Sequence, residues 1–126
     1  MMNTKMINIA SAFPALQKLA SVELPLKLLY SVSRLLDKIE PEMTFYNSER
    51  DKLIIKYGER EDDGAFKIKQ ENMADFEREM NDLFMIDVAL DVQQIVLPML
   101  DGVKMSYNEM KALECCGVTF DEDSWN

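Results

Sequence analysis

Residues between Pro25 and Tyr57 follow two interleaved seven-residue series. Leu29, Leu36, Met43, Arg50 and Tyr57 form one, and Val32, Ile39, Tyr46 and Leu53 the other. Their offsets of three and four place both on one face of a helix. Pro25 suits the first helical position and Gly58 the stop. Such a helix is about 50 Å long at about 1.5 Å per residue. A compact domain of this length is only about 35 Å across. The helix must therefore bend, at Pro41 on the opposite face, or project and meet something. Phe45 and Ile55 lie off the stripe, where exposure would hint at a contact site. A rival reading turns Lys52–Tyr57 into a strand, paired with Ala65–Lys69 across a Gly58–Gly64 loop.

The flanking pattern is shorter in period. Lys5–Ala10 alternates weakly and reads as a strand. Ser11 and Pro14 read as the start of a helix carrying Ala15, Leu16, Leu19 and Ala20, closed by a turn over residues 21–24. Phe66–Lys69 alternates as a strand. Asn72 followed by Asp75 resembles a helix start, and Met73, Phe76, Met80, Leu83 and Phe84 keep helical spacing. Residues 85–92 alternate, with Ile86, Val88, Leu90 and Val92 on one side and Asp87, Ala89 and Asp91 on the other. Ile95–Leu97 is a short extended segment, and Asp101-Gly102 a turn. Ser106 and Glu109 form a capping box opening a helix that Gly117 ends. The expectation is a single small α+β domain over residues 1–120 with an acidic tail at 121–126. It has a long kinked N-terminal helix plus shorter helices on a small, mostly antiparallel sheet.

Composition narrows the function. The chain has 126 residues, is 48% hydrophobic and contains no histidine. It can bury a core without metal or disulfides. Without histidine, the commonest general base, the Ser-His and Cys-His pairs and the usual zinc sites are gone. No enzyme and no cofactor is expected. No apolar run approaches a membrane span, and Met1–Ala12 lacks a signal peptide's apolar core, so a cytoplasmic protein without membrane contact is expected.

The formal net charge is -9, unevenly placed. Residues 1–57 hold eight basic and six acidic side chains, residues 58–126 six and seventeen. Phosphate backbones repel such a surface, which argues against direct nucleic-acid binding and for a basic protein partner. Glu61, Asp62 and Asp63 in an acidic turn, with Asp87 and Asp91 on the polar side of a strand, are the candidate contacts. Tyr46, Arg50 and Tyr57 join them, because Tyr and Arg are enriched at binding hot spots. Alternatively, Arg50 snorkels from a partly buried seam.

Other chemistry is weakly signalled. Glu59, Glu61, Asp63 and Gly64 fall at positions one, three, five and six of a calcium loop, but position twelve is Gln70, which lacks the required charge. No metal is expected. Cys115 and Cys116 are adjacent, lack the spacing of redox or zinc pairs, and read as reduced, core-facing thiols.

Three segments, Leu24–Glu42, Ser48–Gly64 and Ser106–Glu114, carry a Leu-Pro entry, a long charged helix ending in Tyr-Gly, and a Ser-led closing helix. In this the chain resembles small uncharacterised proteins of tailed bacteriophages, across residues 20–116. Cys115-Cys116 departs from the apolar pair expected there. The resemblance supplies no catalytic residues. It implies a phage protein acting in the host cytoplasm on a host or phage protein. The favoured form is inhibition of a nucleic-acid-binding defence factor, in the manner of an anti-CRISPR, with the acidic face competing for a basic groove. A virion or assembly component using the long helix as an oligomer seam is the alternative, and a homodimer is a candidate assembly.

Overall fold

A computed structural model describes residues 2–98 and 103–120. The expected Asp101-Gly102 turn and the tail at 121–126 lie outside them. The elements are β1 (Met2–Lys5), α1 (Met6–Ala20), α2 (Leu26–Tyr57), β2 (Gly58–Arg60), β3 (Phe66–Ile68), a 3₁₀ turn (Gln70–Asn72) and α3 (Met73–Phe84). There follow β4 (Asp87–Leu90), β5 (Ile95–Leu97), α4 (Tyr107–Cys115) and β6 (Val118–Phe120). The chain is an α+β protein with one long helix in its N-terminal half.

That helix runs unbroken from Leu26 to Tyr57, 32 residues. All nine residues of the heptad stripe are buried or half-buried, so the stripe is the core face. Lys52–Tyr57 is helical, and the strand reading of that segment is wrong. The hairpin begins at the next residue: β2 pairs antiparallel with β3, Gly58 opposite Ile68 and Arg60 opposite Phe66. Pro41 is exposed inside the helix, where it withholds an N–H from the Asp37 carbonyl without ending the element. The length is absorbed by sharing the stripe. Helix α1 packs on α2, and so does α3, which meets its second half through a Tyr46–Phe84 stack and a Tyr57–Phe76 edge contact.

Of the expected Lys5–Ala10 strand only Lys5 is in one, as the last residue of β1. Helix α1 starts at Met6, and Pro14 lies inside it rather than in its first turn. The spacing of Met6, Ile9, Ala12, Ala15, Leu16 and Leu19 is helical throughout, and all six are fully buried. This face meets α2 on one side and α4 on the other. Tertiary burial outweighs the weak local alternation.

The expected single sheet is instead three separate two-stranded ladders. β1 pairs antiparallel with β4, β2 with β3, and β5 runs parallel to β6. β6 carries no alternation long enough to read in advance. Its Val118 and the Ile95 and Leu97 of β5 are buried. Asn72 does not cap α3 with its side chain; its amide donates to the Tyr57 carbonyl instead (3.3 Å).

Helix α4 begins as expected. The Glu109 N–H donates to the Ser106 hydroxyl (3.1 Å), and the Ser106 N–H to the Glu109 carboxylate (3.2 Å). Lys18 of α1 adds an ion pair to Glu109 (2.9 Å), and Lys18 followed by the Ser106 N–H holds that carboxyl below its ordinary range. Gly117 ends the helix at φ +88, a left-handed conformation that suits glycine. Ser106→Ala removes one side of the box. It is expected to lower stability by about 1 kcal/mol in urea unfolding, with Asp at the position restoring most of it.

Candidate functional site

The acidic turn forms the tip of the β2–β3 hairpin, directly beyond the end of α2. The Glu61 N–H donates to the Ala65 carbonyl (2.7 Å) and the Gly64 N–H to the Glu61 carbonyl (2.9 Å). The Asp63 carboxylate accepts from the Ala65 N–H (3.0 Å), closing the turn with its own side chain. Gly64 takes φ +89 there. At the base, Lys69 N–H and the Asn72 amide both donate to the Tyr57 carbonyl, tying hairpin and helix together. Glu59, Glu61, Asp62 and Asp63 are exposed, and none has an ion-pair partner among the described residues.

The aromatic and basic candidates are placed differently. Tyr46 is only 9% exposed and lies in the core, stacked on Phe84. Arg50 sits over the Tyr46 ring (5.7 Å) and bonds Asp51 (3.2 Å), so the snorkelling reading describes it. Tyr57 is half-buried against Phe76. Beside it, Lys56 pairs with Glu79 of α3 (3.3 Å); the Tyr57 hydroxyl and then Lys56 hold the Glu79 carboxyl below its usual range. Tyr46 and Tyr57 join α2 to α3, Arg50 packs along α2 itself, and Tyr46 offers a partner almost no surface.

Asp87 and Asp91 do not join the hairpin. Asp87 on β4 pairs with Lys5 of β1. Asp91 lines a groove between the first half of α2 and the β4–β5 connection, together with Tyr30, Arg34 and Lys38. From Lys38 to Tyr57 the helix advances about 28 Å at about 1.5 Å per residue. The expected acidic face is therefore two separate places, one of them bordered by cations.

Comparison with models of protein families, with curated proteins and with solved structures gives no match. Among the described residues no helix is long and apolar enough to cross a membrane, and no three His, Cys, Asp or Glu side chains converge as a metal site.

The groove was not signalled by sequence. It has a volume of about 520 Å³, and Gln93 and Gln94 complete its polar wall. Arg34 and Lys38 have no acidic partner among the described residues. The Arg34 guanidinium lies 5.8 Å from the centre of the Tyr30 ring.

The cysteines separate. Cys115 is exposed and Cys116 buried, its Sγ 3.9 Å from the Asn8 carbonyl. Burial, and then Cys115, push the Cys116 thiol up to about 12. Because the thiolate is the nucleophile, a thiol reagent at neutral pH should modify only Cys115 in the folded chain and both after unfolding. Intact-mass spectrometry reads this; rapid double modification of the native protein would contradict the packing of α4 on α1.

Proposed function

We propose that this is a non-enzymatic interaction protein of a tailed phage, acting in the host cytoplasm by binding a protein with a basic surface. The observation that carries this reading is the hairpin tip: three exposed carboxylates at Glu61, Asp62 and Asp63, on a short turn braced against the end of α2. Unpaired surface charges of one sign steer and select an oppositely charged partner more than they add affinity. A groove that holds nucleic acid is such a partner, so the specific form is inhibition of a nucleic-acid-binding defence factor. Of the aromatic and basic candidates, Tyr57 alone reaches the hairpin, through its carbonyl, which accepts from the Lys69 N–H.

The test is capture from host lysate with the native chain and with a Glu61→Gln, Asp62→Asn, Asp63→Asn triple variant. A nucleic-acid-binding protein should be retained by the first, released by moderate salt or competing nucleic acid, and lost with the second. Equal retention by both chains would refute the acidic-tip mechanism.

One observation favours the assembly alternative. Leu26, Tyr30, Phe45 and Ile55 are 81%, 62%, 45% and 63% exposed, and at 100° per residue all four face away from the core stripe. These apolar side chains lie toward the two ends of the outer side, with Arg34, Lys38 and Pro41 between them, and suit two separate contacts between copies. Sedimentation of the native chain against Phe45→Glu and Ile55→Glu distinguishes the two readings: a multimer dissolved by these changes supports assembly, and a monomer throughout removes it.

A further inference from the structure

We propose that the groove between α2 and the β4–β5 connection binds a mononucleotide. The inference is independent of the hairpin, which lies at the other end of the helix.

The volume, about 520 Å³, falls in the range of small-molecule sites. The lining is polar on both walls and its charges are sorted. Arg34 and Lys38 are four residues apart, so they project from the same face of α2, one turn from each other. Neither has an ion-pair partner among the described residues, in a chain with more acid than base. A guanidinium fork beside an ammonium is the donor set that a phosphate monoester accepts.

Three further features narrow the anion. The Tyr30 ring is 62% exposed and gives a flat surface on which a base stacks once the Arg34 guanidinium, now donating to the Tyr30 hydroxyl (3.5 Å), turns to the phosphate. Asp91 contributes a carboxylate that repels phosphate but accepts hydrogen bonds from the hydroxyls of a ribose. Gln93 and Gln94 carry amides that can both donate to and accept from a base edge, and Gln94 is held by the Thr119 hydroxyl (3.4 Å). Inorganic phosphate uses only the two cations; a mononucleotide uses all four kinds of group. The net negative charge of the rest of the chain is screened beyond about 8 Å at physiological salt and does not prevent this.

The experiment is calorimetric titration of the full chain with adenosine monophosphate, adenosine and inorganic phosphate in parallel. Saturable binding of the nucleotide is expected, tighter than either fragment. Arg34→Gln and Lys38→Gln should each weaken it about tenfold, the scale of one charge-assisted hydrogen bond. Both side chains are solvent-exposed, so the variants should keep the native melting curve. Asp91→Asn should narrow the preference for the ribonucleotide over its dideoxy analogue. No saturation by about 5 mM, a regime of negligible affinity, would overturn the proposal. So would unchanged binding in the two cation variants. Inorganic phosphate binding as tightly as the nucleotide would overturn the nucleoside part, and adenosine doing so would overturn the role of the cations.

Discussion

Leu16→Ala lowers the free energy of unfolding by about 2–5 kcal/mol, the range for emptying an enclosed leucine site. Leu16 is fully buried, at the middle of a helix face whose other members, from Met6 to Leu19, are fully buried too. Helix α1 is held between α2 and α4, with Lys18 clamped to Glu109 across the second contact. A cavity opened there has walls on two sides that belong to different helices, so collapse is resisted and the upper half of the range is expected. Urea unfolding followed by circular dichroism reads the loss as a shifted midpoint with an unchanged slope. Gln17→Ala, one residue along on the exposed side, should change stability by no more than about 0.5 kcal/mol. A loss at Leu16 below about 1 kcal/mol would mean that α1 is not the centre of the core.

Gly58→Ala acts at the junction of the long helix and the hairpin. The backbone there is ordinary, φ -96 and ψ 166, so torsion is not the obstacle. Space is: a Cβ on Gly58 would collide with the Ile54 carbonyl oxygen and lie 3.4 Å from that of Lys67. Both neighbours are backbone, so the chain must move rather than a side chain swing aside. The expected cost is about 1–3 kcal/mol, as for overpacking elsewhere. Its signature is local. Amide exchange should quicken over residues 58–68 and at Lys69, whose N–H donates to the Tyr57 carbonyl, while α1 and α4 keep their protection. If the hairpin tip is the partner contact, Gly58→Ala also weakens capture without altering a single charge. Unchanged melting and exchange would show that the junction is looser than its geometry.

The long helix was legible because nine positions in register outvote a six-residue stretch of β-favouring side chains at Lys52–Tyr57. The start of α1 was not. Ile7 and Ile9 alternate as in a strand, Met6 and Ile9 are spaced as in a helix, and only the continuation to Ala12, Leu16 and Leu19 decides for a helix. Pro14, read as a boundary, is tolerated inside because it sits on the exposed side. β6 is three residues long, and its parallel pairing with β5 spans twenty-three residues of chain from Ile95 to Val118, which local pattern does not encode. At the candidate site, the acidic turn was visible because it is contiguous. The cation-lined groove was not, because its walls, residues 30–38 and 91–95, meet only through tertiary packing. Tyr46 and Tyr57 misled for a related reason: side chains common at interfaces are equally suited to an internal seam between helices.

The clasp of α1 by α4 imposes an order on the newborn chain. The wholly apolar face of α1 is complete at Ala20, yet the α4–β6 segment that covers its far side follows about ninety residues later. At a ribosomal rate of about 5–20 residues per second, that face waits about 5–20 s for its lid. During this interval α2, with a smaller contribution from α3, shields it. Helix α1, made before α2, α3 and α4, is thus among the last of them to be enclosed, and the yield of folded protein should be most sensitive to crowding, or to chaperone supply, in that window.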